Sequence, residues 1–348
     1  MKDFWKNKKV LVTGHTGFVG TWLILTLQYL GADVFGISLK EDENSLYARV
    51  KDKLKIKNMY VDLRDKASVN GCVEAVRPDI VFHLAAFGFI QECFQDPERA
   101  YSTNVIGTMN LLEVLKDIAG IKTIIVASSD KVYKNTDENV QCFTEKDSLG
   151  GIDPYSCSKT GEDLLTQSYY HTYFKQNDIG MAILRPSNIL GGGDHNHNRL
   201  IPHILDCIKN KVPLDIRNPQ SVRPWQHILD MIDAYLFVAE YSWDKGGLDI
   251  FNIGPKSEQI ITVGEIADIL LEISGQEKQI KFGTINKKNT NIEHSFLGLS
   301  IDKIFEELKW EPQKTIYDTL YDVWRFKQDE LLSDSYEACI NQIQQYYE

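Results

Sequence analysis

A glycine-punctuated turn behind the first strand-like run is the feature that most constrains how this chain folds. The apolar run 10–13 ends at Gly14, further glycines stand at Gly17 and Gly20, and an apolar-periodic helix is expected at about 18–30. Gly14 permits a tight turn, Gly17 lets the backbone approach a pyrophosphate, and Gly20 lets the helix lie close to the sheet. The helix N-terminus then offers N–H groups and a favourable dipole to an anion. A ligand-free turn is the alternative, but the position in a β–α–β pattern favours a dinucleotide site.

Strand-like and helix-like patterns alternate through the first half of the chain. Strands are expected at 10–13, 33–38, 59–61, 80–84, 123–127 and 181–184, and helices at about 18–30, 99–118 and 155–174. Such alternation predicts an α/β protein with a doubly wound parallel sheet of the Rossmann type. We expect residues 1–186 to form a dinucleotide-binding domain to which later segments return.

The second half has a mixed pattern, and glycines at 191–193 and several prolines mark long loops. Helices are expected at about 201–209, 228–241, 263–273 and 320–332. We expect residues 187–348 to form mainly a smaller, mixed α/β lobe that binds substrate. The segment after Trp310 is helical and polar, and no function is assigned to it.

Composition narrows the class of protein. Lys and Arg number 38 against 49 Asp and Glu, and the net charge of −11 argues against nucleic-acid binding as the main function. The six cysteines are scattered without a C-x-x-C pair, which is typical of reduced thiols. No stretch approaches the roughly 18 apolar residues of a membrane span, and no apolar signal region follows the basic N-terminus. We expect a cytoplasmic protein with neither nucleic-acid nor membrane partners.

The end of the second strand bears on the choice of cofactor. An acidic residue there would hold a ribose 2′-hydroxyl and indicate NAD, but Ser38 stands at that place. Lys40 could serve a 2′-phosphate, although a solvated surface lysine is the favoured interpretation. Asp62 and Leu63 follow the third strand, where a side chain can reach an adenine or simply form a turn. The residues alone therefore leave NAD and NADP as alternatives.

A possible metal site is the run Asp194-His195-Asn196-His197. No third spaced set of ligands accompanies it, so a solvated loop is favoured and no metal is expected.

Tyr155 and Lys159 form a Y-x-x-x-K pattern whose spacing places both side chains on one helix face. An ammonium beside a phenol favours the phenolate and so lowers the pKa of the tyrosine, which makes Tyr155 usable as a base. Ser129 stands at the end of the fifth strand, where its hydroxyl can bond a reacting oxygen. The alternative is a serine that only caps a helix or forms a turn. The glycine turn, the serine and the Tyr–Lys pair together favour an oxidoreductase-type site.

These motifs resemble those of the extended short-chain dehydrogenase/reductase family, in its nucleotide-sugar dehydratase and epimerase branch. The similarity runs from Phe4 to about Pro312, and it is greatest to the subgroup of CDP-glucose 4,6-dehydratases. It rests on the segments 12–18, 129–131, 150–156, 188–194, 216–219, 223–227 and 252–255.

The resemblance implies a reaction and roles for residues. Tyr155 would remove the sugar 4-hydroxyl proton while NAD takes the C4 hydride, water would leave across C5 and C6, and the hydride would return to C6. Asp130 matches the acid that protonates the departing 6-hydroxyl, which requires a raised pKa. Lys131 stands where many sugar dehydratases have a glutamate base, and it acts either as a neutral base or as a cation that stabilises an enolate.

The resemblance also implies ligand contacts and an assembly. The cofactor-binding candidates are Gly14, Thr16, Gly17, Phe18, Val19, Gly20, Ser38, Asp62, Leu63, Ala85, Ala86, Asn104, Tyr155 and Lys159. The substrate-binding candidates are Ser129, Asn188, Arg199, Arg217, Arg223 and Asn252, since arginine suits a diphosphate, although surface arginines are an equal alternative. The expected partner is a CDP-hexose, and a homodimer or dimer of dimers would form through the helices at 99–118 and 155–174.

One loop departs from the subgroup. Residues 87–94 are rich in aromatic side chains, and Gln91 stands where an arginine is usual. This loop lies beside the sugar in the family, so the identity of the hexose is in doubt. A 4-epimerase or reductase is the alternative within the family, and it has no need of the Asp130 acid. A non-catalytic cofactor-binding protein is a third hypothesis, against which the intact Tyr155–Lys159 pair argues.

Overall fold

The computed structural model describes residues 2–136, 140–196, 199–216, 218–276 and 294–348, with the backbone of 280–282. Two of the residues discussed above, Arg217 and His197, lie outside the described residues.

The chain divides into two compact units, each assembled from separate stretches of sequence. The first comprises Met1–Lys134, Glu145–Pro186 and Ile232–Ile253. The second comprises Asn135–Thr144, Ser187–Met231 and Gly254–Glu348.

The strands are, in chain order, β1 (Lys9–Thr13), β2 (Asp33–Ser38), β3 (Lys57–Tyr60), β4 (Ile80–His83), β5 (Thr123–Ala127), β6 (Cys142–Phe143), β7 (Gly180–Pro186), β8 (Asn188–Leu190), β9 (Leu214–Ile216), β10 (Val222–Arg223), β11 (Trp225–His227), β12 (Gly247–Ile253), β13 (Ile261–Thr262), β14 (Ile280–Phe282) and β15 (Gly298–Leu299). The helices are α1 (Lys2–Trp5), α2 (Phe18–Tyr29), α3 (Leu46–Val50), α4 (Lys66–Val76), α5 (Ile90–Gln95), α6 (Pro97–Tyr101), α7 (Thr108–Leu115), α8 (Pro154–Tyr169), α9 (Leu200–Asn210), α10 (Ile228–Lys245), α11 (Val263–Ile273), α12 (Asp302–Leu308), α13 (Ile316–Leu332) and α14 (Ser335–Tyr347).

A seven-stranded parallel sheet forms the centre of the first unit, in the order β12-β7-β5-β4-β1-β2-β3. The predicted α/β fold of the Rossmann type is therefore confirmed. The order reverses beside β1, and ligands bind at the carboxyl ends of parallel strands near such a reversal. Residues Thr13, Ser38, His83 and Ala127 end four neighbouring strands at this edge.

Two helices that the periodicity predicts as continuous contain π-helical turns. The helix expected at 99–118 consists of α6, a π-helical segment Ser102–Gly107 and α7, and it ends at Leu115. The helix expected at 155–174 begins at Pro154, where the Asp153 side chain caps it, and finishes in a π-helical segment Tyr170–Phe174. Such segments occur often at functional sites.

Leu11, Val81, Ile124 and Met181 are in register on one face of the sheet, and they form a buried apolar core with Leu111 of α7. A separate core in the second unit joins α9, α11 and α13 through residues such as Ile204, Ile266 and Leu320. The polar C-terminal segment is part of this unit, because Ala338, Cys339 and Ile343 of α14 are buried and Tyr346 donates to Asp230 at 2.7 Å. Across the described ranges, no helix is both long enough and apolar enough to cross a membrane.

Candidate active site

The glycine turn between β1 and α2 has the close backbone approaches that its spacing predicts. Gly14 has a φ of +74°, and a Cβ there would lie 2.7 Å from the Ala85 nitrogen. A Cβ on Gly20 would lie 2.2 Å from the Gly14 carbonyl oxygen, so only glycine fits where α2 meets the turn. Gly17 is exposed at the tip, and its N–H donates to the Gly14 carbonyl at 3.0 Å.

The N-terminus of α2 is suited to the phosphates of a dinucleotide. Gly17 is the N-cap residue and makes no side-chain cap bond, and the first turn has no acidic residue. The N–H groups of the first turn, which Phe18 and Val19 begin, thus have no capping side chain to compete with an anion. The Thr16 and Ser38 hydroxyls are hydrogen-bonded at 2.7 Å, which joins the turn to the end of β2. These residues fit NAD, with the glycine turn and α2 as the pyrophosphate cradle.

The candidates for the adenosine end of the cofactor lie beyond β3 and β4. The Asp62 carboxylate accepts hydrogen bonds from the Arg64 side chain and backbone N–H at 2.6–3.1 Å, which lower its pKa, and Leu63 is buried. Ala85 is half-buried and Ala86 exposed in the loop after β4. An acidic group does follow β2, three residues later than the motif predicts: Glu41 accepts from Tyr60 at 2.6 Å and from Lys51, and its pKa is about 2 because of these bonds.

Ser129, Asp130 and Tyr155 lie together at the end of β5. Ser129 lies beside Tyr155, and its hydroxyl donates to the Asp130 carboxylate at 3.2 Å. Asp130 is only 4% exposed, whereas Lys131 is half-buried. The structure therefore brings a hydroxyl, a phenol and a buried carboxyl into one cluster, which is what a site for both oxidation and elimination requires.

Lys159 has a partner that the spacing argument missed. Its ammonium forms an ion pair with Glu162 and donates to the Ala127 carbonyl at 2.7 Å, and both side chains are at most 3% exposed. Burial and the nearby Asp130 and Glu162 charges raise the pKa of Tyr155, and only the Ser129 hydrogen bond lowers it. The prediction of a lowered Tyr155 pKa is therefore wrong for this arrangement, since burial and the neighbouring acidic groups outweigh the one interaction that lowers it. The i+7 spacing from Tyr155 to Glu162 is the sequence signal that could have found this residue.

His83 at the end of β4 is a second buried group that sequence reasoning named only as part of a strand. Thr108 donates to the Asn104 carbonyl, so the ring Nε2–H donates to Thr108 at 2.7 Å, and Nδ1 accepts from Thr13 at 2.7 Å. Burial, with the Lys159 charge, lowers the pKa of His83 to about 3. His83 is therefore neutral at physiological pH and joins β1, β4 and α7 behind the site.

A buried network supports the strand ends beneath Ser129. Asp163 accepts from Arg185 at 2.8 and 3.0 Å and from Ser128 at 3.0 Å. Arg185 also donates to the Tyr133 hydroxyl, which donates to the Asn252 side-chain oxygen at 2.6 Å. Asn252 is fully buried in this network. The structure gives Asn252 a supporting place, and direct contact with substrate stays a prediction.

Asn104 holds the loop that departs from the family. Its side-chain oxygen accepts from the Phe87 N–H at 2.7 Å, and its nitrogen donates to the Phe87 carbonyl and to Ser158. Both amide hydrogens are used and the residue is fully buried. Asn104 therefore fixes the start of the loop 87–94 on α8, and contact with the cofactor stays a prediction. Within that loop Cys93 is buried and donates to the Phe87 carbonyl at 3.4 Å.

The remaining substrate candidates belong to the second unit. Asn188 begins β8 and is half-buried. Arg199 precedes α9 and donates to Asp194 at 2.9 Å, with its side chain 42% exposed. Arg223 is buried and donates to the carbonyls of Val222 and His294 at 2.7 and 2.8 Å, so it fixes the backbone around β10. Among the described residues no cluster of three or more metal-ligating side chains occurs.

Comparison with known proteins places these motifs in a family. The model of the NAD dependent epimerase/dehydratase family matches residues 10–254. A CDP-glucose 4,6-dehydratase from Salmonella typhimurium strain LT2 is 36% identical over 327 residues, which cover 92% of this chain and 90% of that protein. UDP-glucose 4-epimerase 4 from Oryza sativa subsp. japonica is 26% identical over 344 residues, which cover 92% and 90%. The solved dTDP-glucose 4,6-dehydratase DesIV from Streptomyces venezuelae, with NAD and TYD bound, has a TM-score of 0.77 at 25% identity and covers 92% of this chain and 97% of its own.

Proposed function

Since the chain belongs to the NAD dependent epimerase/dehydratase family, we propose that it is an NAD-dependent lyase that converts CDP-glucose to CDP-4-keto-6-deoxyglucose. The greater identity to a CDP-glucose 4,6-dehydratase, 36% against 26% for a UDP-glucose 4-epimerase, supports this choice of reaction and nucleotide.

The buried carboxyl of Asp130 beside Ser129 is the observation that carries the proposal. A reaction that only moves a hydride at C4 needs the serine and the tyrosine. Elimination of the 6-hydroxyl needs, in addition, an acid that delivers a proton to the leaving oxygen. A carboxyl that is 4% exposed is destabilised as a charge by desolvation, which favours its protonated form in a closed site.

The steps follow from these groups. Tyr155 accepts the proton of the sugar 4-hydroxyl in its phenolate form, and the Ser129 hydroxyl beside it can bond the same sugar oxygen. Bound NAD supplies the chemistry of accepting a hydride from C4 and giving it back at C6. The 4-ketone acidifies C5, whose proton passes to Lys131 if this lysine is neutral, or to another base if Lys131 is the cation that stabilises the enolate. Asp130 protonates the departing 6-hydroxyl, and one water is lost.

The test is incubation of the protein with CDP-glucose and NAD, followed by mass spectrometry of the sugar nucleotide. We expect a product lighter by one water with no net NADH. The Asp130→Asn variant should form none of it, while Glu113→Gln, which alters a paired surface carboxylate on α7, should form it normally. A product lighter by one water from Asp130→Asn at the normal rate would contradict the role of the acid.

A 4-epimerase is the second candidate, because the chain is also 26% identical to a UDP-glucose 4-epimerase over almost its whole length. An isomer of unchanged mass would favour it. An unchanged CDP-glucose would reject this substrate and lead to UDP-, dTDP- and GDP-hexoses, since the loop 87–94 departs from the subgroup.

We infer that the enzyme forms a homodimer or a dimer of dimers. Exposed apolar side chains on two neighbouring helical segments support this: Tyr101, Ile106, Leu164 and Tyr173. Isolated apolar side chains are common on surfaces, but large ones on adjacent helices favour an interface. We further propose that the enzyme is cytoplasmic, as its six free cysteines suggest, and that its product serves deoxysugar synthesis for cell-surface polysaccharide.

A further inference from the structure

Glu162 is a buried carboxyl that the reaction scheme does not use. It lies on α8 two helical turns after Tyr155 and one turn after Lys159, so all three side chains share one face of the helix. Its side chain is 1% exposed, and its ion-pair partner is the Lys159 ammonium. Burying a carboxylate costs free energy, because the charge loses its hydration, and a partner in the protein must compensate for that loss.

Among the groups packed around Glu162, Lys159 is the cation whose charge Glu162 offsets. On α8, the charge of Asp163 is taken up by Arg185. From β4, His83 lies 3.8 Å away with a pKa near 3 and is neutral. From α10, Tyr235 is buried, which raises its pKa and keeps it neutral. Burial also raises the pKa of Glu162 to about 7, against the Lys159 charge that lowers it.

We propose that Glu162 is a positioning residue that holds the Lys159 ammonium against the end of β5 and offsets its charge, and thereby sets the pH range in which Tyr155 works as a base. The geometry supports this, because the Lys159 ammonium reaches both Glu162 and the Ala127 carbonyl, immediately before Ser128 and Ser129. The inference deepens the proposed function and rests on it for the role of Tyr155.

The Glu162→Gln variant removes the charge and keeps the shape of the side chain. Loss of a negative charge makes the phenolate of Tyr155 more favourable, so Tyr155 titrates at lower pH. Seven residues of helix separate Glu162 from Tyr155 by about 10 Å, at which one charge shifts a titration by about one pH unit.

The first measurement is the pH dependence of kcat/KM for the sugar nucleotide. We expect the limb of the profile that reports Tyr155 to move to lower pH in Glu162→Gln. Glu162→Asp keeps the charge and should restore the position of that limb. The matched control Glu113→Gln removes a carboxylate that pairs with Lys116 on α7 and should leave the limb in place. A lower kcat with an unmoved limb would overturn the proposal, because a merely structural role predicts that result.

The second measurement is independent of the sugar reaction. NADH binding, followed by fluorescence without substrate, should weaken in Glu162→Gln, because the Lys159 ammonium loses the carboxylate that holds it at the end of β5. Weakened NADH binding in a protein that dehydrates no sugar would leave this inference standing and reject the proposed function. Unchanged NADH binding in an active dehydratase would do the reverse.

Discussion

Replacing Asp163 by asparagine tests the buried network beneath Ser129. Asp163 is fully buried and accepts two hydrogen bonds from Arg185, one from Ser128 and one from Gln167 at 2.8–3.0 Å. Arg185 is only 2% exposed, so the variant leaves a buried guanidinium without its counter-charge. Breaking such a pair costs about 3–5 kcal/mol in free energy of unfolding. With an unfolding entropy of about 2.1 cal/mol/K per residue, this is a fall in Tm of roughly 4–7 °C for the whole chain.

The assay is thermal and urea unfolding of the variant beside Asp178→Asn as a control. Asp178 pairs with Lys122 and both side chains are exposed, so that loss should cost about 1 kcal/mol or less. Because Ser128 precedes Ser129, Asp163→Asn should also lower kcat more than it changes KM. A fall of less than about 1 kcal/mol in the free energy of unfolding of Asp163→Asn would refute the reasoning. It would mean that the buried Arg185 guanidinium is stable without the Asp163 charge.

Three further predictions follow from the same contacts. Gly20→Ala should cost about 1–3 kcal/mol and weaken NADH binding at least tenfold in a fluorescence titration, because its Cβ would meet the Gly14 carbonyl; Gly71→Ala, with open space around it, should do neither. Leu164→Glu should convert the proposed dimer to a monomer in light scattering, whereas Leu331→Glu, at another exposed leucine, should not. The pKa of Glu162 is about 7 in the native state against an ordinary 4.5, so the native state holds an extra proton between these values. The free energy of unfolding should fall as pH rises through that window, and Glu162→Gln should flatten the fall in urea titrations.

Local pattern was sufficient for most of the central sheet. The strands at 33–38 and 123–127 and the helix at 263–273 have the predicted bounds, because turn residues or a capping box mark their ends. The strand Gly247–Ile253 was not predicted, since it follows a long helix and joins the sheet beside β7 only through long-range pairing. Periodicity alone also does not distinguish a π-helical turn from an α-helix, so the interruption at Ser102–Gly107 was missed.

Sequence spacing predicted which site residues share a helix face. It did not predict which neighbouring group each charged side chain pairs with. The pattern of Tyr155 and Lys159 implied a lowered phenol pKa, yet the ammonium contacts Glu162 instead. Similarly, Arg223 was predicted to bind a diphosphate because a guanidinium suits one. In the structure its guanidinium donates to backbone carbonyls in the second unit. Such choices depend on burial and on neighbours from other strands, which a single sequence does not contain.

The central claim is an internal hydride transfer coupled to loss of water. The most direct test uses CDP-glucose carrying deuterium at C4, with the product analysed by mass spectrometry and NMR. We expect a product lighter by one water that keeps the deuterium, now on C6, with no net change in NAD. Deuterium retained on C4 in an isomer of unchanged mass, or lost to reduced cofactor without loss of water, would contradict the account.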